Sequence, residues 1–177
     1  MRRIVMGHNG SGRATVLADG IVDPITVAML PGVQVHRMWE LDEAPTLPVD
    51  SPPGPPTGTF FPGNGGIRFG FITIPPGLSY EMPADLPAEA VEAALAEAEA
   101  ELPGMAATFD PDRPGVHTTR TVDYVVAISG TGRMRTDDDV DVVLGPGDCL
   151  IQNGTAHAWF NDGDVPLVLA YTLYGAR

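Results

Sequence analysis

From Thr121 onward the chain is interrupted every few residues by a turn signal: Gly130-Thr131-Gly132, the Asp137-Asp138-Asp139 tip, then Gly145-Pro146-Gly147. A helix needs a longer uninterrupted run, so the segments between these turns read as short strands, at 122–129, 132–136, 140–144, 148–153, 156–161 and 166–174. Strands recurring at this spacing build a sandwich or a barrel.

The first half of the sequence adds to this β-rich body. Residues 3–6 and 13–18 are β-like runs flanking a turn, and 25–30 and 33–41 follow across Pro31-Gly32. In the last of these, Val33, Val35, Arg37 and Trp39 alternate with Gln34, His36, Met38 and Glu40, a pattern that leaves open which face is inside. Residues 45–66 carry a dense run of proline and glycine that excludes both a long helix and a central strand, so an extended surface loop is expected, with Phe60-Phe61 anchoring it. Residues 67–74, IRFGFITI, form a clear strand stopped by Pro75-Pro76-Gly77. One helix is expected at 87–102, opened by Pro87 and closed by Pro103-Gly104. Its apolar stripe is Val91, Leu95, Ala98 and Leu102, and its other faces carry glutamates without lysine partners, so it depends on the body it flanks.

Alternation along 117–127 puts His117, Thr119, Thr121 and Asp123 on one face, and further on His157, Trp159 and Asn161 share another. If the two segments are neighbours, two imidazoles and a carboxylate converge. The same stretch resembles the two motifs of the cupin family. His117-Thr118-Thr119 stands at the first motif's H-x-H, Asp123 at its glutamate and Gly130 at its closing glycine. Gly147, Asn153-Gly154-Thr155, His157 and Asn161 follow the second motif, with His157 one position early. The resemblance covers residues 115–174 and implies a single domain over 1–177, a mainly β cupin jelly-roll barrel. In that reading 1–76 supply extra N-terminal strands and the Pro/Gly-rich loop, 87–102 a flanking helix near the barrel mouth, and 115–175 the motif core.

Cupin metal sites use three histidines and a glutamate. Here Thr119 replaces one histidine and Asp123 replaces the glutamate. The resemblance therefore implies a divalent ion (Fe, Mn, Ni or Zn) on His117, Asp123 and His157, which would also be the catalytic residues of an enzyme acting on a small carbonyl or carboxylate substrate by oxygenation, decarboxylation or isomerisation. The other reading is a metal-free pocket that binds a small molecule, or uses a histidine and Asp123 in acid–base catalysis. Thr119, Arg68, Trp159 and His36 are the remaining pocket candidates: Arg68 as a fork for a substrate carboxylate or an ordinary paired arginine, Trp159 as pocket wall or core, His36 as an extra ligand or a structural histidine. Cys149 reads as a small buried hydrophobe.

The formal charge of -13 disfavours nucleic acid and anionic membranes, and no run approaches the roughly 18 apolar residues of a membrane span. A single cysteine excludes an internal disulfide. A cytoplasmic location is expected, and a homodimer is what the family resemblance implies.

Overall fold

The computed structural model describes residues 1–52, 54, 56–81 and 85–177, so part of the expected 45–66 loop, at 53 and 55, lies outside the described residues. Among the described residues, ten strands form three sheets, accompanied by one α-helix and a short 3-10 turn at Ala106–Thr108. An N-terminal ribbon pairs β1 (Arg2–His8) with β2 (Ala14–Ile21). The main sheet comprises β3 (Gln34–Leu41), β4 (Ile67–Ile74), β5 (Thr121–Ser129), β8 (Cys149–Asn153) and β10 (Leu167–Gly175), in the order β3-β4-β10-β5-β8. Facing it is a three-stranded sheet, β7-β6-β9, built from β6 (Gly132–Thr136), β7 (Asp141–Leu144) and β9 (His157–Phe160). Every strand pairing is antiparallel.

From β4 on, the chain passes repeatedly between the two main sheets. It leaves β4, touches the three-stranded sheet at His117 through an isolated bridge to His157, returns as β5, crosses to β6 and β7, returns as β8, crosses to β9 and ends on β10. This alternation, with the last strand β10 seated between β4 and β5, is the jelly-roll arrangement. The expected jelly roll is present, but its two sheets are separate, so the molecule is an open sandwich and not a closed barrel. The fourth strand of the smaller sheet is reduced to the His117 bridge because Pro111, Pro114 and Gly115 precede it.

Inner-face residues of both sheets fill the core. Leu167, Leu169 and Leu173 of β10 and Val125 and Ala127 of β5 meet Met134, Leu144 and Trp159 across the sandwich. The helix α1 (Ala88–Glu101) joins this core only through Ala98 and the following Leu102, both fully buried, while Leu95 is exposed, so the expected stripe is shorter than the sequence suggested. Glu97 fastens the helix to the body by accepting a 2.8 Å hydrogen bond from the Ala28 backbone N–H. Asn161 fastens the two sheets together. Its Nδ2 donates to the carbonyls of Ile74 and Val165, both at 2.9 Å, and its Oδ1 accepts from the Gly163 N–H at 3.0 Å. Residues 25–30, expected as a strand, form turns, with one bridge from Ile25 to Val35. No helix among the described residues is long and apolar enough to cross a membrane.

Candidate functional site

Between the two sheets lies a cavity of about 110 Å³. Its walls are largely apolar, with Ile74, Leu169, Phe60, Phe109, Tyr80 and Trp159 among them, and its polar groups include His117, His157, Asp123 and Gln152. Strand register explains this placement. The pairings Leu173↔Arg68, Leu173↔Asp123 and Asp123↔Gln152 make one cross-strand row, so these side chains share the inner face, with Leu173 separating Arg68 from Asp123. The histidines come from the opposite wall. His117 and His157 exchange two backbone hydrogen bonds, of 2.9 and 3.1 Å, which sets their side chains beside each other with ring centroids 4.3 Å apart. The Phe109 ring flanks His117 on its other side, at 5.2 Å.

Each imidazole is fixed by its own turn. His117 Nδ1 lies 3.1 Å from the Gly115 carbonyl oxygen, and His157 Nδ1 lies 2.9 Å from the Thr155 carbonyl oxygen. A carbonyl can only accept, so both Nδ1 atoms carry the proton and both Nε2 atoms hold a lone pair. Burial, with the neighbouring His157 adding to it, pushes the His117 pKa down to about 4, against the opposing pull of the Gly115 carbonyl. His157 shifts downward too, again through burial and against its Thr155 bond. The pair is therefore neutral at physiological pH.

Asp123 is displaced in the other sense. It is 6% exposed, its Oδ1 is buried without any hydrogen-bond partner, and burial raises its pKa to about 6, with the Thr121 hydroxyl working weakly against that. Thr119 and Thr121 are hydrogen-bonded to each other at 2.8 Å and are also buried. Thr119 thus stands behind the site as part of a hydroxyl pair and does not line the cavity.

Whether these donors suit a metal ion turns on the carboxylate. The imidazole pair alone has the carbonyl-anchored Nδ1 atoms that metal-ligating histidines show. Asp123, however, projects from the facing sheet, and among the described residues no three His, Cys, Asp or Glu side chains lie close enough to hold one ion. Facing sheets stand about 10 Å apart, and aspartate is a methylene shorter than the glutamate of the motif. As the fold holds them, His117, Asp123 and His157 do not fit a three-donor centre.

The other candidates separate clearly. Trp159 lines the cavity, as proposed for a pocket wall. Arg68 does not: it is 3% exposed, and its guanidinium is committed to the carbonyls of Thr59, Leu41 and Ile67 and to the Asp42 carboxylate at 2.7 Å. It anchors the Pro/Gly-rich loop and is not a substrate fork. His36 pairs with Phe71 on the outer face of the main sheet, so period two directs it away from the cavity. Cys149 is exposed, because its partner Val126 also belongs to that outer face.

Among the lining residues that the sequence did not point to are Tyr80, Phe109 and Gln152. Tyr80 covers the cavity from the loop after β4, donating to the Trp159 carbonyl at 2.7 Å and packing edge-on against Phe160. Phe109 and Gln152 complete the wall, Gln152 with its Nε2 donating to the Thr155 carbonyl at 3.1 Å. An aromatic inside a proline-rich loop was the available signal for Tyr80. The same signal marked Phe60 as a loop anchor, and the structure buries it in the cavity wall.

No protein-family model and no curated protein matches the chain. Among solved structures, it is similar to a predicted oxalate decarboxylase from Thermotoga maritima, at 13% identity and a TM-score of 0.48, covering 90% of this chain and 98% of that one. It is also similar to the cupin domain of Schizosaccharomyces pombe Cnp3, at 9% identity and a TM-score of 0.48, covering 98% and 87%. A Cupin 2 conserved barrel domain protein from Salinispora arenicola gives 12% identity and a TM-score of 0.45, covering 89% and 90%. The jelly-roll assignment itself rests on the strand order described above.

Proposed function

We propose that this protein binds a small, mainly apolar molecule between its two sheets, and does so without a metal ion. One observation carries the reading: the cavity is walled mainly by aliphatic and aromatic side chains, and its polar atoms lie on two facing walls and do not converge on one point. Small-molecule sites have this composition, an apolar enclosure with a few polar groups that fix orientation. Its volume, about 110 Å³, sets the ligand's size. An apolar cavity of about 150 Å³ accepts benzene, so the part enclosed here is on the order of six heavy atoms.

The test uses untagged protein and an EDTA-treated sample of it. Elemental analysis is expected to find no stoichiometric metal, and the treated protein is expected to gain thermal stability with benzene or toluene, by mass action on the folded state. Stoichiometric metal in the parent that disappears in a His157→Ala variant would support the metal-dependent enzyme instead. Absence of any thermal shift with either hydrocarbon would remove the binding reading.

A further inference from the structure

The polar atoms of the cavity are strongly biased in kind, and that bias specifies the ligand more narrowly than size does. Both imidazoles direct their only N–H at a main-chain carbonyl, so Nε2 of His117 and Nε2 of His157 are acceptors. On the facing wall, Asp123 Oδ1 is a third acceptor, buried and without a partner. Most donors nearby are already engaged: one N–H of the Gln152 amide with the Thr155 carbonyl, the Tyr80 hydroxyl with the Trp159 carbonyl, and the Thr108 hydroxyl with the Met105 carbonyl. What remains is neutral: the second N–H of Gln152, the Tyr171 hydroxyl and the Trp159 indole N–H.

No cation offsets this set. The chain contains no lysine, and none of its ten arginines lines the cavity. The two buried ones on β3 and β4 are held elsewhere, Arg37 by Glu40 and the Gly58 carbonyl and Arg68 by the loop it anchors. A carboxylate entering the cavity would be a buried anion beside a second carboxylate, with no positive charge to meet either, which is among the most unfavourable arrangements in a protein interior. A hydroxyl or amine would instead supply the missing proton to an orphaned acceptor, and removing an unmet buried acceptor is favourable.

Building on the metal-free pocket, we propose that the ligand is a small molecule with an apolar body and a hydrogen-bond-donating head, a hydroxyl or an amine, seated against the acceptors of His117, His157 and Asp123, and that carboxylates are excluded. This reverses the carbonyl or carboxylate substrate that the motif resemblance implies.

Four probes of one shape test it on EDTA-treated wild-type protein near neutral pH, with affinities read by calorimetry or ligand-observed NMR: benzene, phenol, benzylamine and benzoate. Phenol, or benzylamine in the ammonium form it takes near neutral pH, is expected to bind at least about tenfold more tightly than benzene, the step that one satisfied buried acceptor supplies, with charge attraction to Asp123 adding to it for the ammonium. Which of the two leads identifies the head as hydroxyl or amine. Benzoate is expected to bind at least about tenfold more weakly than benzene. Benzoate equal to or tighter than phenol and benzylamine would overturn the donor assignment while leaving the pocket intact, as would benzene equal to both donors. Failure of all four, benzene included, would overturn the pocket reading itself.

Discussion

Replacing Asp123 with asparagine stabilises the protein by about 2 kcal/mol at about pH 8, and the gain fades as the pH falls, disappearing by about pH 3. The sign follows from the direction of the shift. Burial raises the carboxyl from 3.8 to about 6, so the folded chain holds this proton more tightly than the unfolded chain does. Ionisation above about pH 6 therefore costs folding free energy, about 3 kcal/mol at full effect, and below 3.8 both states are protonated and the cost vanishes. Asparagine keeps the shape and removes the charge, and the lost contact with Thr121 reduces the gain. For a chain of this length the shift in Tm is about 6 °C, measurable by calorimetry across pH.

The two histidines act in the opposite sense. His117 stays neutral in the folded protein down to about pH 4 and His157 is shifted in the same direction, so as the pH falls below about 6.5 the unfolded chain takes up protons that the folded chain refuses. Stability contributed by the pair is present above pH 6.5 and is lost on acidification, and in the Asp123→Asn variant, without the opposing carboxyl, that loss is steeper. A variant destabilised at pH 8 would mean that the carboxylate has a partner in the folded protein, a bound cation being the obvious one. A residue that weakens the fold, yet sits with an unsatisfied oxygen facing a cavity, has its explanation in function.

Gly115→Ala is the second large effect, and it costs about 3 kcal/mol together with the cavity's affinity for benzene. Gly115 has φ +81°, and a Cβ built there would lie 2.3 Å from the Tyr80 ring, so the substitution adds both backbone strain and overpacking. The same residue's carbonyl fixes the His117 tautomer, so any shift that relieves Tyr80 also disturbs the imidazole. Gly104 separates the two costs. Its φ is +80°, but a Cβ there would meet nothing within 4 Å, so Gly104→Ala costs only the backbone term, about 1 kcal/mol, and leaves binding unchanged. Equal costs at the two positions, by urea denaturation, would mean that Tyr80 does not pack against Gly115 in solution.

These two residues mark what the sequence could and could not disclose. Alternation along β5 directs Asp123 inward and alternation along β9 directs His157 inward, because period two is a property of the backbone, but the expected shared face of His117 and Asp123 is absent: His117 precedes β5 and reaches the cavity through its bridge to His157 in the facing sheet. Alternation could not say that the carboxylate and the imidazoles would occupy opposite walls, since that depends on where the chain crosses between sheets. Arg68 shows the same limit. It does share the inner face with Asp123, but the intervening strand, β10, supplies Leu173 between them. His36 and Cys149 were misplaced for a simpler reason: in a sheet covered in part on both faces, alternation between apolar and polar residues no longer reports the inside. Tyr80, brought over the cavity by a loop with no periodicity of its own, left only its aromatic character in the sequence.

The central claim is that the two imidazoles face the cavity as neutral acceptors with no metal between them. Nitrogen-15 NMR of the histidine rings tests this most directly, because it distinguishes a protonated ring nitrogen from one with a free lone pair. At neutral pH, in EDTA-treated protein, His117 and His157 are expected to carry the proton on Nδ1 and a free lone pair on Nε2, with His117 remaining neutral until about pH 4. One equivalent of Zn(II) is expected to leave both spectra unchanged. A proton on Nε2 of either ring, or a stoichiometric zinc-induced shift of both Nε2 signals, would contradict the account.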